Sequence, residues 1–209
     1  MIQTNNLTFQ YKKEQSVFHF PNIHIKEKED LLIVGKSGIG KTTFLHLLAG
    51  LLQPTDGDVV IDNKNISILS PSKLDSFRGQ HIGLVFQNNY AVQSLSVFDN
   101  LQARLFFSEK RIVNADIDQL LEDLDLINQK HQKVNELSFG QLQRLGIALS
   151  VIHNPKVILA DEPTSSLDDE NCSIVINLLK KQAEKNKANL IVITHDQRIK
   201  QFFQNTIVL

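Results

Sequence analysis

One short run of this chain has the residue types and spacing of a phosphate site. Gly35-Lys36-Ser37-Gly38-Ile39-Gly40-Lys41-Thr42-Thr43 sets a glycine, four residues, then Gly-Lys-Thr, the pattern of a phosphate-binding loop. The glycines let the backbone curl so that successive N–H groups converge on phosphate oxygens. Lys41 supplies a mobile cation for the outer phosphates, and the Thr42 hydroxyl can ligate Mg²⁺. A helix following the loop would add the partial positive charge of its N-terminus.

Three further polar residues or pairs stand at the ends of apolar runs: Gln87 after Ile82 to Phe86, Asp161-Glu162 after Val157 to Ala160, and His195 after Leu190 to Thr194. In an open α/β sheet ligands bind beyond the carboxyl ends of the strands, so these residues are expected beside the glycine loop. Asp161 can hold Mg²⁺ through water. Glu162 can orient or deprotonate an attacking water. Two adjacent acids can also be plain loop residues, and a lone histidine is more often structural; the strand ends favour contact of His195 with the last phosphate. Ser138, in Leu137-Ser138-Phe139-Gly140-Gln141, can cap the next helix and make its start an anion site, although by itself this reads as a routine cap.

The elements that must position these groups can be read from periodicity. Leu31 to Val34 suits a buried parallel strand, and Phe44, Leu45, Leu47, Leu48 and Leu51 suit a helix packed on a sheet. Residues 1–34 look β-rich, with segments Ile2 to Phe9 and Val17 to Ile25 and a turn over Tyr11-Lys12-Lys13-Glu14-Gln15 between them. Asp56-Gly57-Asp58 marks a turn before Val59 to Ile61, and Pro71 to Phe77 reads as a helix capped by Ser70. Helical spacing then dominates: Val97 to Phe107, then Ile117, Leu120, Leu121 and Leu124 with Asn114 as cap, then Leu142, Leu145, Leu149 and Ile152. A helix over 170 to about 187 and a short strand from Thr206 to Leu209 close the α/β pattern. The expected fold is α/β: a P-loop core with a mostly parallel sheet, an N-terminal antiparallel β subdomain and an inserted α-helical subdomain. We expect one domain over 1–209, with 1–87 and 154–209 as core and 88–153 as helical insertion.

The composition fits. A chain of 209 residues, 42% hydrophobic, supports one compact core with a small subdomain. A net charge of -1 gives no global basic field for nucleic acid. The single cysteine, Cys172, excludes an intrachain disulfide and fits a reducing compartment. No apolar run reaches the ~18–20 residues of a membrane span, and Met1 to Phe9 has no signal-peptide pattern. A cytoplasmic protein is expected.

Taken together, the motifs resemble those of the ATP-binding cassette ATPases, the motor subunits of ABC transporters, over nearly the whole chain. Gly35 to Thr43 is similar to Walker A, Gln87 to the Q-loop, Leu137 to Gln141 with Arg144 to the signature, Val157 to Glu162 to Walker B, Ser165-Ser166-Leu167-Asp168 to the D-loop, and His195 to the H-loop. Tyr11 stands where the family stacks an aromatic on adenine. The resemblance implies ATP and Mg²⁺ as ligands, with Lys41, Thr42, Gln87 and Asp161 around the phosphates and metal, and Glu162 as base. It also implies a head-to-tail homodimer, or pairing with a second ABC ATPase, in which Ser138, Gly140 and Gln141 meet the partner's ATP and Asp168 communicates across the dimer. An integral membrane permease is the expected partner, holding the chain peripherally on the inner face of the membrane. Tyr90, Val92, Leu95 and Val97 are candidates either for its docking groove or for subdomain core. Phe77 to Gln87 and Leu159 to Thr164 resemble the lipoprotein-release, macrolide-exporter and cell-division group, and the chain stops soon after the H-loop strand, without the C-terminal regulatory domain of many importer ATPases. The departure is Phe139, where the usual signature has its first glycine.

Two other readings share part of this pattern. A P-loop kinase would use Gly35 to Thr43 but would not need Leu137 to Gln141 or the Gln87 and His195 strand ends. A soluble ABC protein acting on DNA or the ribosome would need two cassettes, or a long coiled coil, which 209 residues do not hold.

Overall fold

The computed structural model describes residues 1–12, 16–88, 90–108, 114–165 and 167–209. In chain order it begins with β1 (Ile2–Phe9), β2 (Phe18–His19) and β3 (His24–Ile25), followed by β4 (Asp30–Val34) and α1 (Lys41–Leu48). Then come β5 (Asp56–Ile61), β6 (Lys64–Asn65), α2 (Pro71–His81) and β7 (Ile82–Val85). Three helices, α3 (Val97–Phe107), α4 (Asn114–Asp123) and α5 (Phe139–Val151), precede β8 (Val157–Asp161), α6 (Asp169–Asn186), β9 (Asn189–Thr194) and β10 (Thr206–Val208).

The strands form two sheets. β1, β2, β3, β5 and β6 pair antiparallel, and β10-β4-β9-β8-β7 pair parallel throughout. The central parallel strands carry unbroken apolar runs, Leu31 to Val34, Val157 to Ala160 and Leu190 to Ile193, because both faces are covered. Leu32, Val34, Ile158, Ala160, Leu190 and Val192 face a core shared with α3, α4, α5 and α6. Leu31, Ile33, Val157, Leu159, Ile191 and Ile193 face a second core with α1, α2 and the antiparallel sheet. The period-2 alternation of side chains produces this division.

Four local expectations change. Val17 to Ile25 is not one strand: it breaks into β2 and β3, and the Pro21 carbonyl between them accepts the Thr4 hydroxyl at 3.0 Å. Asp56-Gly57-Asp58 is not a turn but the start of β5, where the pairing register shifts between Asn5 and Thr8. Gly57, at φ 88, is required there, since a Cβ would stand 2.4 Å from the Asn6 carbonyl oxygen. Its turn-like residues serve a bulge, where one strand carries an extra residue. Ser70 precedes α2 without a side-chain cap bond, and α2 continues to His81. Leu51 lies beyond α1 and is exposed. The expected turn residues Lys13 to Gln15 and the Asn114 side chain lie outside the described residues.

Candidate nucleotide site

All five parallel strands end at one rim, and the register fixes who stands next to whom. Val34 pairs with Thr194, Asp161 with Ile193, and Val85 with Ala160. The glycine loop after β4, His195 after β9, Glu162 after β8 and Gln87 after β7 are therefore successive along that rim. The convergence expected from strand ends alone is what the sheet order delivers.

The loop itself is exposed from Lys36 to Ile39. Gly38 and Gly40 hold φ 81 and 105, in the left-handed region that glycine enters without a Cβ penalty. A Cβ at Gly40 would also stand 2.9 Å from the Phe18 ring. Gly40 is the N-cap of α1 and carries no side chain to satisfy the first-turn N–H groups, so those donors remain available to an anion. Lys41 is buried and curls back, its Nζ donating to the Gly35 and Lys36 carbonyls at 2.9 and 3.1 Å. The same Nζ lies 3.6 Å from Glu162 Oε1. The lysine thus spans the loop and the acidic strand end.

Glu162 is held firmly. It sits at φ 49, an uncommon value for a residue with a Cβ, and its N–H donates to the Ile193 carbonyl at 2.9 Å. Thr194 Oγ1 donates to its Oε2 at 2.6 Å, and His195 Nδ1 lies 2.9 Å from its Oε1. Burial works to raise its carboxyl, but the hydrogen bonds from Thr194 and His195 together outweigh this and hold it below its ordinary value. It is a carboxylate at neutral pH, able to accept from a water. His195 remains largely exposed, at 64% of its side chain.

The neighbouring Asp161 is buried, and burial raises its carboxyl. Thr42 Oγ1 lies 3.4 Å from its Oδ1. With the exposed amide of Gln87 one strand away, the donors are a hydroxyl, a carboxylate and an amide oxygen, all hard oxygen ligands suited to Mg²⁺. A cation there would also favour the charged form of the buried Asp161. Among the described residues no group of three or more His, Cys, Asp or Glu could hold a metal.

Tyr11 packs edge-on against Phe9 with centroids 4.7 Å apart, and its hydroxyl lies 2.8 Å from Thr43 Oγ1. The structure therefore brings it to α1, with 54% of the residue exposed. Ser138 is the N-cap of α5 in a reciprocal capping box: Gln141 N–H donates to Ser138 Oγ at 3.3 Å and Ser138 N–H to Gln141 Oε1 at 2.9 Å. Gly140 faces open space, with nothing within 4 Å of a built Cβ. Among the described residues no hydrogen bond or ion pair joins this turn to Gly35 to Thr43.

Asp168 caps α6, accepting the Asn171 N–H at 2.8 Å; Ser166 beside it lies outside the described residues. Val97 is fully buried and belongs to the core, whereas Tyr90 and Val92 are exposed beside a cleft. Thr194 carries no role in the sequence reading, although it ends the same apolar run as His195; its bond to a residue 32 positions away has no sequence signal.

The ABC transporter family matches residues 18–165. The lipoprotein-releasing system ATP-binding protein LolD of Treponema denticola is 36% identical over 195 residues, 92% of this chain and 86% of its own. The uncharacterized ABC transporter ATP-binding protein MJ0796 of Methanocaldococcus jannaschii is 34% identical over 100% of this chain and 93% of its own. The dimeric structure of a post-hydrolysis state of MJ0796 bound to ADP and Pi superposes with a TM-score of 0.88 at 33% identity, covering 100% of this chain and 94% of that one. The chain belongs to the ABC transporter family, as an ATP-binding and ATP-hydrolysing cassette.

Proposed function

We propose that this chain is the ATPase subunit of a lipoprotein-release or macrolide-exporter type of transporter, working as a head-to-tail dimer beneath a separate membrane permease. The dimeric MJ0796 cassette and the LolD relative support this reading. The observation that carries it is the split site. The glycine loop and Glu162 share one rim, while Ser138 and Gly140 stand on a capped helix start that faces open space at Gly140.

In this reading the Gly35 to Thr43 N–H groups and Lys41 bind the phosphates, Lys41 leaving its loop carbonyls to do so. Thr42, Gln87 and Asp161 would hold Mg²⁺, which supplies charge neutralisation to the phosphate oxygens when bound. Tyr11 stacks on adenine. Glu162, fixed by Thr194 and His195, orients the attacking water and accepts its proton, and His195 touches the outer phosphate. Ser138, Gly140 and Gln141 complete the site of a second copy. No helix among the described residues is long and apolar enough to cross a membrane, so the transport path belongs to the permease. Its docking place is the 790 Å³ cleft lined by Tyr90, Val92, Phe107, Leu142 and Leu149, and residues 88–153 carry its movement to the signature turn.

Complementation tests the split site. Ser138→Arg blocks the signature but keeps the loop; Lys41→Ala does the reverse. Each variant alone should be inactive. Mixed one to one, random pairing gives half heterodimers with one intact site each, so about a quarter of wild-type turnover should return. A mixture as inactive as either variant would refute the shared site.

A further inference from the structure

A continuous hydrogen-bonded chain leaves Glu162 and ends at the segment before α6. Thr194, fully buried, donates its hydroxyl to Glu162 and accepts the Asp196 N–H at 2.9 Å on the same oxygen. The Asp196 carboxylate accepts the buried Thr164 hydroxyl at 3.0 Å and the Arg198 guanidinium at 2.8 to 3.1 Å through Nε and Nη2. Arg198 also donates its backbone N–H to Asp196 at 3.0 Å. Its remaining nitrogen, Nη1, reaches the Leu167 carbonyl at 3.1 Å and Asp169 at 2.6 Å. A planar guanidinium can serve the carboxylate with one edge and the carbonyl with the other; an ammonium cannot hold both directions at once.

We propose that Arg198 is a positioning residue for hydrolysis, tying Leu167 to the Glu162 carboxylate through Asp196 and Thr194. Leu167 and Asp168 lie on the segment expected to face the second copy, so that displacement of this segment on dimer closure reaches Glu162 along fixed polar links. Thr164, three links from the Asp169 side chain but adjacent to the Glu162-Pro163 turn, gives Asp196 a second hold on the same strand end. Linked side-chain networks can be worth more than the sum of their separate pairs.

This inference rests on the assignment of Glu162 as the residue that handles the attacking water. The test uses the full chain and steady-state ATP hydrolysis, with Arg198→Ala, Arg198→Lys, Thr194→Val and the double variant Arg198→Ala/Thr194→Val. Arg198→Ala should lower kcat about tenfold and leave KM for ATP within about twofold, a split that general loosening of the fold would not give. Arg198→Lys should recover part of the loss. The double variant should be no more than about twofold below Thr194→Val alone, since both changes cut one chain. Unchanged kcat in Arg198→Ala, or losses that multiply, would overturn the proposal. Should Arg198→Ala fail to fold, Arg198→Lys with Thr194→Val forms the same cycle at smaller amplitude. Glu162→Gln run alongside separates the two readings: retained turnover removes the role of Glu162 itself, whereas an inactive Glu162→Gln beside a fully active Arg198→Ala removes only the role of Arg198.

Discussion

Substituting Gly83 by alanine perturbs the contact that sets the signature helix on the sheet. Gly83 lies in β7, in register with Ile158, on the face covered by α5. A methyl group there would stand 2.0 Å from the Ser150 carbonyl oxygen, 3.0 Å from its carbon and 3.2 Å from Pro155 Cγ. Carbon–oxygen contacts settle near ~3.3 Å, so helix and strand must separate by about 1.3 Å. The obstacle is backbone, which no rotamer change removes. A gap of ~0.5–1 Å already forfeits a quarter to a half of a dispersion contact, and α5 buries Leu145, Ile147, Ala148 and Val151 on this side. Overpacking typically costs ~1–3 kcal/mol, and with a rigid obstacle we expect about 3 kcal/mol. For a chain of this length that corresponds to a fall of about 6–12 °C in Tm. Urea unfolding followed by circular dichroism measures the stability, and its slope should not change. Nucleotide binding offers a second arm. The glycine loop hangs on β4, separated from β7 by β9 and β8, so ATP affinity should hold within about twofold, while turnover, which in the proposed dimer uses Ser138 and Gly140 on α5, should fall about tenfold or more. A loss below about 0.5 kcal/mol with full turnover would refute the argument that this close approach places α5.

Two further outcomes follow from the site. Glu162→Gln should keep ATP binding and lower turnover by about 10²–10⁴-fold, the usual worth of a positioned base; ATP-bound dimer accumulating on size exclusion would accompany it, and wild-type turnover would contradict the role. Asp196→Asn should lose stability in a pH-dependent way. Hydrogen bonds from the Arg198 side chain, opposed by burial, bring the Asp196 carboxyl from 3.8 to about 2. A pKa depressed on folding gives stability that is present above about 3.8 and lost as pH falls towards about 2. The full shift corresponds to about 2 kcal/mol, reduced to about 1 kcal/mol because Arg198 is 41% exposed and screened. Urea unfolding should therefore show the variant about 1 kcal/mol less stable at pH 7, with the gap closing near pH 2–3; a gap independent of pH would contradict the ion pair.

Much of the site was legible because it depends on strand ends, and strand ends are visible as apolar runs meeting a polar residue. Val157 to Ala160 before Asp161 and Leu190 to Ile193 before Thr194 carry that signal locally. What was not legible depends on pairs far apart in sequence. Thr194 meets Glu162, and Arg198 meets Leu167, only because β8 and β9 are neighbours in the sheet order. Arg198, 41% exposed on a short 3-10 helix from Gln197 to Phe202, reads in sequence as an ordinary solvated charge. Periodicity placed α3 at Val97–Phe107 without error, yet it could not see the break between β2 and β3, where short edge segments are fixed by pairing with β1 and not by their own alternation.

Phe139 stands in place of the usual signature glycine without disturbing the start of α5. Phe139 is the first residue of α5, and the Ser138–Gln141 capping box closes around it without using its side chain. At that position any rotamer that leaves the first turn open suffices, and the ring stays 59% exposed along the cleft of its own subunit. Gly140 differs. A Cβ built there would meet nothing within 4 Å, so the space before this first turn is open, and in the proposed dimer its N–H would face the partner's phosphate. An aromatic ring at 139 adds apolar surface to the cleft, and in the proposed dimer the phosphate approach is assigned to Gly140. The same ring places the signature turn beside the surface proposed for the permease, so that an occupant of the cleft would touch the turn that, in the proposed dimer, completes the second copy's site.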